Sequence, residues 1–258
     1  MTTAVRFDVE LEESWSILGK LHGGYLLATV VEQVLRGADP TTHPHPIAAS
    51  ATYVAPPAPG RATVHVCQLK TGRTFATFRA ELRQGEQGCV QALVTLGTLP
   101  AAGSPPVWMS PDATPPPILP LAECVPTGAP RGSDRLPVVT KYVEQLLEPT
   151  SASWATGEGS GRADIRGWVR MISNWDPVLA QFILADSPPP VTFDLGRFGW
   201  LPTLTLQVLL RQVPRPGWHR FRQHAITLAG GTIDEDCTLW AEDGSVVSQA
   251  RQLAAYRD

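Results

Sequence analysis

One stretch constrains the fold more than any other: an apolar run from Leu21 to Leu35 that opens on two glycines. Its apolar residues recur at helical spacing around most of the circumference, and no acidic residue occurs before Glu32. A helix at a domain surface carries a wide polar face, so this helix is predicted to be wrapped on nearly all sides, most economically by a curved sheet. The glycines at its first turn, Gly23 and Gly24, let a ligand oxygen approach the free N–H groups at the positive end of the helix dipole.

The rest of the first hundred residues is typical of strands. Residues 5–11 alternate apolar and polar side chains, the signature of a half-buried strand. Four longer candidates follow the helix and are separated by proline- and glycine-rich turns. They cover residues 47–54, 62–70, 74–84 and 88–98.

The second half repeats this order of elements, which indicates a tandem duplication. The turn Pro57–Gly60 has a counterpart in Pro214–Gly217, and a second apolar helix opens on Asp176, a capping residue followed by proline. Strands are predicted at residues 138–147, 163–171, 202–211, 218–228, 232–241 and 246–256. We therefore expect an N-terminal unit at 1–100, a proline-rich strap at 101–137 and a C-terminal unit at 138–258, with the two sheets paired edge to edge. In the strap, Trp108, Met109 and Ile118 suggest packing on the surface.

Composition excludes some functions and partners. The net charge is −3 and the pI is about 6.1, which gives no electrostatic basis for binding nucleic acid or an acidic membrane surface. The four widely spaced cysteines form no metal or disulfide motif, and His43 and His45 lack a third ligand, so no metal is expected. The first residues contain no apolar leader segment, and the expected location is the cytoplasm.

Four segments together carry a resemblance to a known family. They are His22–Gly24, Tyr53–Gly60, Thr71–Phe75 and Asp243–Gln252. In their order and spacing the chain resembles the double-hotdog acyl-CoA thioesterases over nearly its whole length. The resemblance implies an α+β tandem hotdog, two long antiparallel sheets each wrapped around a central helix. It also implies hydrolysis of acyl thioesters to free acid and thiol, with coenzyme A as part of the substrate and no separate cofactor.

The resemblance also implies a division of the site between the halves. Amides at the start of the first helix, Gly23 and Gly24, would receive the thioester carbonyl; the alternative for these glycines is close packing of the helix on the sheet. His22 is expected either to hydrogen-bond the substrate or position water, or to cap the helix start. The acyl chain would lie between the two helices. Arg61 and Arg73 are candidates for binding the coenzyme A phosphates, or solvated strand ends.

In this family an Asp, a Ser or Thr, and a Gln from the second half hold the attacking water. By strand register the Asp position falls on Thr205, the hydroxyl position near Thr227, and the Gln position on Gln252, or on Arg251 if the register shifts by one. A threonine hydroxyl cannot serve as a general base near neutral pH. The sequence thus predicts an oxyanion site without the usual carboxylate.

Two other carboxyl groups are possible substitutes for that carboxylate. Asp176 is expected to cap the second helix, with a catalytic role as the minor alternative. Asp194 lies in the loop 192–198 and could reach over the pocket, as could Arg197, but a solvated loop is favoured.

The sequence is also compatible with three other functions. The threonine at position 205 favours a non-catalytic protein that binds acyl thioesters. A hydratase or dehydratase on the same fold would need an Asp and a His just before the first helix, and no His precedes His22. An interaction module would use the proline strap. The expected partners are an acyl-CoA or acyl-carrier thioester and a second copy of the chain in a homodimer.

Overall fold

The computed structural model describes residues 4–128, 138–199 and 201–256. Within these ranges the chain forms fifteen strands and two α-helices, with short 3-10 turns between some of them. The first half contains β1 (Val5–Leu11), β2 (Ser16–Ile17), β3 (Lys20–Leu21), α1 (Gly23–Arg36), β4 (His45–Tyr53), β5 (Gly60–Thr71), β6 (Ala76–Gln84) and β7 (Gln87–Gly97). The remainder contains β8 (Val125–Pro126), β9 (Val143–Leu147), β10 (Asp164–Met171), α2 (Pro177–Leu184), β11 (Thr203–Leu210), β12 (His219–His224), β13 (Leu228–Ala229), β14 (Thr232–Trp240) and β15 (Val246–Ala255).

Helix α1 is the buried centre of the first half, as predicted. It begins after the N-cap His22 and ends at the C-cap Gly37. Nearly every residue from Gly24 to Val34 is buried, because strands β4 to β7 curve around the helix. The apolar side chains around this helix therefore have a simple cause: from Gly24 to Val31 no face of the helix meets water.

Thirteen strands form one continuous antiparallel sheet. Their order is β1-β5-β6-β7-β4-β11-β15-β14-β12-β10-β9-β8, with β13 paired to β14. The two halves join where β4 pairs with β11, from Thr52 opposite Thr205 to Ala48 opposite Leu209. This junction confirms the predicted edge-to-edge pairing and removes one exposed edge from each half.

The start of α1 meets the end of α2 at very short range. A Cβ built on Gly24 would lie 2.4 Å from the carbonyl oxygen of Phe182 and 2.9 Å from Cβ of Asp186. Only glycine permits this approach. The expectation that an acyl chain lies between the helices is therefore wrong at this crossing, because the two backbones touch.

The strap packs on the second half, but not through all the residues expected. Trp240 Nε1 donates to the Ala113 carbonyl at 2.9 Å, and Trp168 Nε1 donates to the Leu119 carbonyl at 2.9 Å. Ile118 is half-buried, whereas Trp108 is 79% exposed, so the expected packing of Trp108 is wrong. Residues 129–137 of the strap lie outside the described residues.

Some predicted strands are shorter in the structure. The stretch predicted at 138–147 forms a 3-10 turn first and becomes β9 only at Val143, and β12 ends at His224 rather than at residue 228. In the described part of the chain, neither helix has the length and apolar character needed to cross a membrane.

Candidate active site

A cavity of about 460 Å³ opens where the start of α1 meets the segment that follows α2. Its polar wall takes groups from both halves of the chain. These groups are His22, Gly23, Gln145, Asp186, Thr203, Gln223, Glu235 and Gln252. Its apolar wall comes mostly from the second half and includes Val139, Trp154, Pro188, Pro189, Pro190, Phe193 and Leu201. A polar end and an apolar, aromatic end suit a ligand with one reactive group and a hydrophobic tail.

Asp186 places a carboxylate on the N-terminus of α1. Its Oδ2 accepts a hydrogen bond from the Gly24 N–H at 2.6 Å, and its side chain is only 7% exposed. The positive end of the α1 dipole favours a negative charge here. Among the described residues, the other oxygen, Oδ1, has no hydrogen-bond partner, so it remains available to a molecule in the cavity.

His22 holds the carboxylate segment in place through both ring nitrogens. Its Nδ1 accepts from the Tyr25 N–H at 3.2 Å, so the ring proton sits on Nε2. Nε2 lies 3.1 Å from the Asp186 carbonyl oxygen, to which it donates, and 3.6 Å from Asp186 Oδ2. His22 therefore caps α1 and orients Asp186 at the same time.

The two glycine amides have different partners. The Gly24 N–H is taken by Asp186, as described, whereas the Gly23 N–H has no partner in the described ranges. The Gly23 carbonyl accepts from the Tyr53 hydroxyl at 2.8 Å, which fixes the peptide orientation at the helix start. A single free N–H at a helix N-terminus can receive a polarised carbonyl oxygen.

Burial shifts the pKa of Asp186. Removal from water raises the pKa of the Asp186 carboxyl above its usual value, and the neighbouring His22 and the Gly24 N–H offset that rise only in part. A carboxylate with a raised pKa is a stronger base than one in water, which suits it to accept a proton from a bound water.

A second buried carboxyl lies across the cavity on β14. Glu235 Oε1 accepts from the Val191 N–H at 2.7 Å, and Oε2 accepts from Gln252 Nε2 in a very short contact. Gln252 Oε1 in turn accepts from the Thr203 hydroxyl at 3.0 Å. The three side chains thus form one hydrogen-bonded chain along the cavity wall. Burial is the main cause that raises the pKa of Glu235 to about 7, and the nearby Asp186 adds to the rise.

The raised pKa of Glu235 predicts how stability depends on pH. Between its ordinary pKa of 4.5 and the folded value of about 7, the folded state holds a proton that the unfolded state has lost. The free energy of unfolding therefore falls as pH rises through this window, by about 3 kcal/mol for this one group. Glu235→Gln should remove that part of the fall. Urea titrations of both proteins at pH 4.5, 6 and 8 measure it, and parallel curves would contradict the prediction.

The segment that follows α2 is held by side chains from three strands. Gln145 Nε2 donates to the Ser187 carbonyl at 2.7 Å, and Gln223 Nε2 donates to the Pro189 carbonyl at 3.3 Å. Together with the bond from the Val191 N–H to Glu235, these contacts fix the backbone around Asp186. The carboxylate is therefore presented from a rigid segment, as a catalytic group requires.

The structure brings only some of the residues predicted from the sequence to the cavity. His22, Gly23 and Gln252 line it, and Gly24 holds Asp186. Thr205 does not line it, because it is exposed on β11 opposite Thr52. Nor does Thr227, which is exposed beyond the end of β12 with its N–H donating to Asp234.

The remaining candidates also lie elsewhere. Arg61 borders a separate surface depression with Arg6 and Glu10, and Arg73 is exposed in a turn, so neither lines the cavity. Their binding of coenzyme A phosphates stays a prediction.

The two other carboxyls have structural contacts. Asp176 caps α2 by accepting from the Val178 and Leu179 N–H groups, as predicted. The expectation of a solvated loop around Asp194 is wrong. Asp194 is 1% exposed and accepts bonds from Ser160 and the Arg162 N–H.

Sequence reasoning missed Asp186, Thr203 and Glu235. One feature of the sequence could have indicated Asp186. It comes directly after the C-terminus of α2, where the helix dipole disfavours a negative charge, so a carboxylate there is expected to have a partner elsewhere. In the described part of the chain, no group of three His, Cys, Asp or Glu residues is arranged to hold a metal ion.

Comparisons with known proteins identify the family. The sequence model for the acyl-CoA thioesterase N-terminal domain matches residues 11–97, and that for the acyl-CoA thioesterase C-terminal domain matches residues 121–256. Uncharacterized proteins of Mycobacterium tuberculosis and Mycobacterium bovis are each 29% identical to this chain over 270 residues. The match covers 96% of this chain and 90% of each relative.

Solved structures show the same fold. A candidate thioesterase II from Thermobifida fusca superimposes with a TM-score of 0.87 at 26% identity, covering 100% of this chain and 96% of that one. A hotdog protein of unknown function from Alicyclobacillus acidocaldarius does so with a TM-score of 0.82 at 18% identity, covering 98% and 93%. The chain has the tandem hotdog fold and belongs to the acyl-CoA thioesterase family.

Proposed function

We propose that the protein hydrolyses acyl-CoA or acyl-carrier thioesters, with Asp186 as the general base. One observation carries the proposal. The buried carboxyl of Asp186 accepts a hydrogen bond from the N-terminus of α1 and keeps one oxygen free. Its pKa is raised, and it lines a cavity that has an apolar wall. Membership of the thioesterase family supports the same chemistry.

In the proposed reaction the thioester carbonyl oxygen accepts from the Gly23 N–H, and the acyl chain lies along the apolar wall. A water between Asp186 Oδ1 and Thr203 attacks the carbonyl carbon while Asp186 takes its proton. Negative charge that develops on the carbonyl oxygen is stabilised by the Gly23 N–H and the α1 dipole. The intermediate then collapses, the C–S bond breaks, and the departing sulfur receives the proton from Asp186.

His22 acts in this proposal as a positioning residue rather than a proton carrier. Its Nδ1 is occupied by the Tyr25 N–H and its Nε2 by the Asp186 carbonyl. An imidazole with both nitrogens engaged is poorly placed to protonate or deprotonate a carbon. This argues against the hydratase alternative, even though Asp186 and His22 lie side by side.

The non-catalytic alternative loses its main support. That hypothesis depended on Thr205, which occupies the position where the resemblance places the family's Asp. The cavity contains a carboxylate from another element, Asp186. We therefore favour turnover over binding alone. We further propose that the protein acts in the cytoplasm and forms a homodimer.

The test is release of free thiol from a panel of acyl-CoAs that runs from short to long chains and includes aromatic acyl groups. We expect turnover that depends on acyl length, because the paired rings of Trp154 and Phe193 line the apolar wall of a cavity of limited volume. Isotope-labelled enoyl-CoA serves as the control substrate for hydration. Tight binding of every acyl-CoA without thiol release would establish the binding protein, and hydration of enoyl-CoA would establish the third alternative.

A further inference from the structure

Among the titratable side chains that line the cavity, the proposed mechanism leaves one without a role, the carboxyl of Glu235. Resting on that mechanism, we propose that Glu235 is a positioning residue that sets the direction of the hydrogen-bonded chain through Gln252 to Thr203. The direction of this chain decides whether the Thr203 hydroxyl accepts from the attacking water or donates to it. Glu235 thereby switches the site between an active and an inactive arrangement without touching the substrate.

The observed contacts are those of an ionised carboxylate. Glu235 is 2% exposed, and both of its oxygens accept, one from the Val191 N–H and the other from Gln252 Nε2. Neither contact uses a proton on Glu235. An ionised carboxylate is an acceptor only, so it satisfies both donors completely.

This arrangement fixes the Gln252 amide in one of its two orientations. With Nε2 directed to Glu235, Gln252 Oε1 faces Thr203 and takes the hydroxyl proton at an O···O distance of 3.0 Å. The Thr203 oxygen then presents only lone pairs to the cavity. It can accept one hydrogen of a water whose other hydrogen goes to Asp186, which leaves the water's lone pair for the carbonyl carbon.

Protonation of Glu235 reverses each of these steps. A buried carboxylic acid needs an acceptor for its proton, since an unpaired buried donor is costly. Gln252 supplies that acceptor when its amide rotates by half a turn and turns Oε1 toward Glu235. Its Nε2 then donates to Thr203, whose own hydroxyl proton points into the cavity. That proton competes for the lone pair with which the water would attack.

The groups that face Glu235 make both states accessible near neutral pH. Asp186 faces it from the segment after α2, with His22 beside Asp186 at the start of α1. Gln223 faces it from β12, is uncharged, and lowers the pKa of Glu235 through a side-chain hydrogen bond. Cys237, two residues along β14, is a neutral thiol because burial raises its pKa far above the usual value. Burial and the charge of Asp186 place the pKa of Glu235 at about 7, so both protonation states are populated.

Glu235→Gln tests the proposal because the new amide fits only one direction. The Val191 N–H requires an acceptor, so the amide oxygen faces Val191 and the amide nitrogen faces Gln252. The variant therefore holds Gln252 in the reversed orientation at every pH. Glu148→Gln is the matched control. Glu148 is also a buried glutamate that accepts a backbone N–H, that of Leu119 at 2.9 Å, but it does not line the cavity.

The first measurement does not depend on activity. The side-chain N–H₂ signals of Gln252, identified by their loss in Gln252→Ala, are followed by ¹H–¹⁵N NMR between pH 5 and 8.5. We expect them to titrate with a midpoint of about 7 in the wild type and in Glu148→Gln. In Glu235→Gln they should stay at the low-pH position throughout. Signals that do not move in the wild type, or that titrate equally in Glu235→Gln, would overturn the proposal.

The second measurement is a double-mutant cycle on kcat for thiol release at pH 8. Glu235→Gln should lower kcat by about tenfold, the value of one well-placed hydrogen bond, with little change in KM. In the Gln252→Ala background the same substitution should change kcat by less than about twofold, because its effect passes through Gln252. Equal losses in both backgrounds would refute positioning through Gln252. If the wild type releases no thiol, the proposed function fails, and the NMR titration alone decides the role of Glu235.

Discussion

Asp186→Asn is expected to lower kcat/KM for thioester hydrolysis by roughly 10²–10⁴, the usual contribution of a general base. In the wild type the Gly24 N–H donates to Asp186 Oδ2 at 2.6 Å. The asparagine oxygen of the variant can accept the same hydrogen bond, so the contact at the start of α1 is kept. The variant lacks a group that can accept a proton from water. The loss should appear mainly in kcat, because the acyl chain and the carbonyl contacts are unchanged. Free-thiol release on the best acyl-CoA of the panel measures it.

A matched substitution separates this effect from a general loss of charge. Asp176→Asn replaces a carboxylate that caps α2 and lies outside the cavity lining. Asparagine is as good an N-cap as aspartate, so both activity and melting temperature should stay near the wild-type values. If Asp186→Asn keeps more than about a third of the wild-type rate, Asp186 is not the base.

Gly24→Ala is expected to cost about 3 kcal/mol of folding free energy or more. The added methyl would lie 2.4 Å from the Phe182 carbonyl oxygen, a backbone atom that cannot rotate away. Helix propensity opposes this loss, since alanine is favoured over glycine by about 1 kcal/mol inside a helix. The clash exceeds that gain, and relieving it requires α1 and α2 to move apart. Urea unfolding followed by circular dichroism measures the change.

Gly37→Ala provides the comparison for this prediction. Gly37 caps the other end of α1 at φ −89°, which any residue adopts, and a Cβ there would meet its nearest neighbour at 3.4 Å. The substitution should change the free energy of unfolding by no more than about 1 kcal/mol. The change should be stabilising, because alanine has less conformational freedom than glycine in the unfolded chain. Equal destabilisation by the two substitutions would show that the helix crossing is not what makes Gly24 necessary.

Much of the fold could be predicted because it is encoded locally. Strand β1 runs from Val5 to Leu11, as its alternation predicts, and α1 starts at the glycine pair and stops before Gly37. Such elements are specified by side-chain period, caps and breakers, which a single sequence displays. The repeat of turns at Pro57 and Pro214 added the duplication, and with it the pairing of the two sheet edges.

The site was harder to predict because its residues are distant in sequence. Asp186 is 162 residues from Gly24, and their contact follows from the crossing of two helices rather than from any local pattern. For Thr203 the difficulty was an irregular register. The pairing of β11 with β15 shifts between Thr203 and Thr205, so the alternation that pointed to Thr205 fails at that step. Thr227 was misplaced for a related reason, since β12 ends three residues earlier.

The bond between Gly24 and Asp186 has a consequence for how the protein is made. A ribosome that adds about 5–20 residues per second needs roughly 10–30 s to travel from one residue to the other. During that interval the Gly24 N–H lacks its carboxylate acceptor and the β4 edge of the nascent first half is unpaired, and another chain can satisfy both. We expect the first half to be most prone to association with other chains during this interval. A chain that ends before Asp186 is therefore expected to be inactive and prone to aggregation.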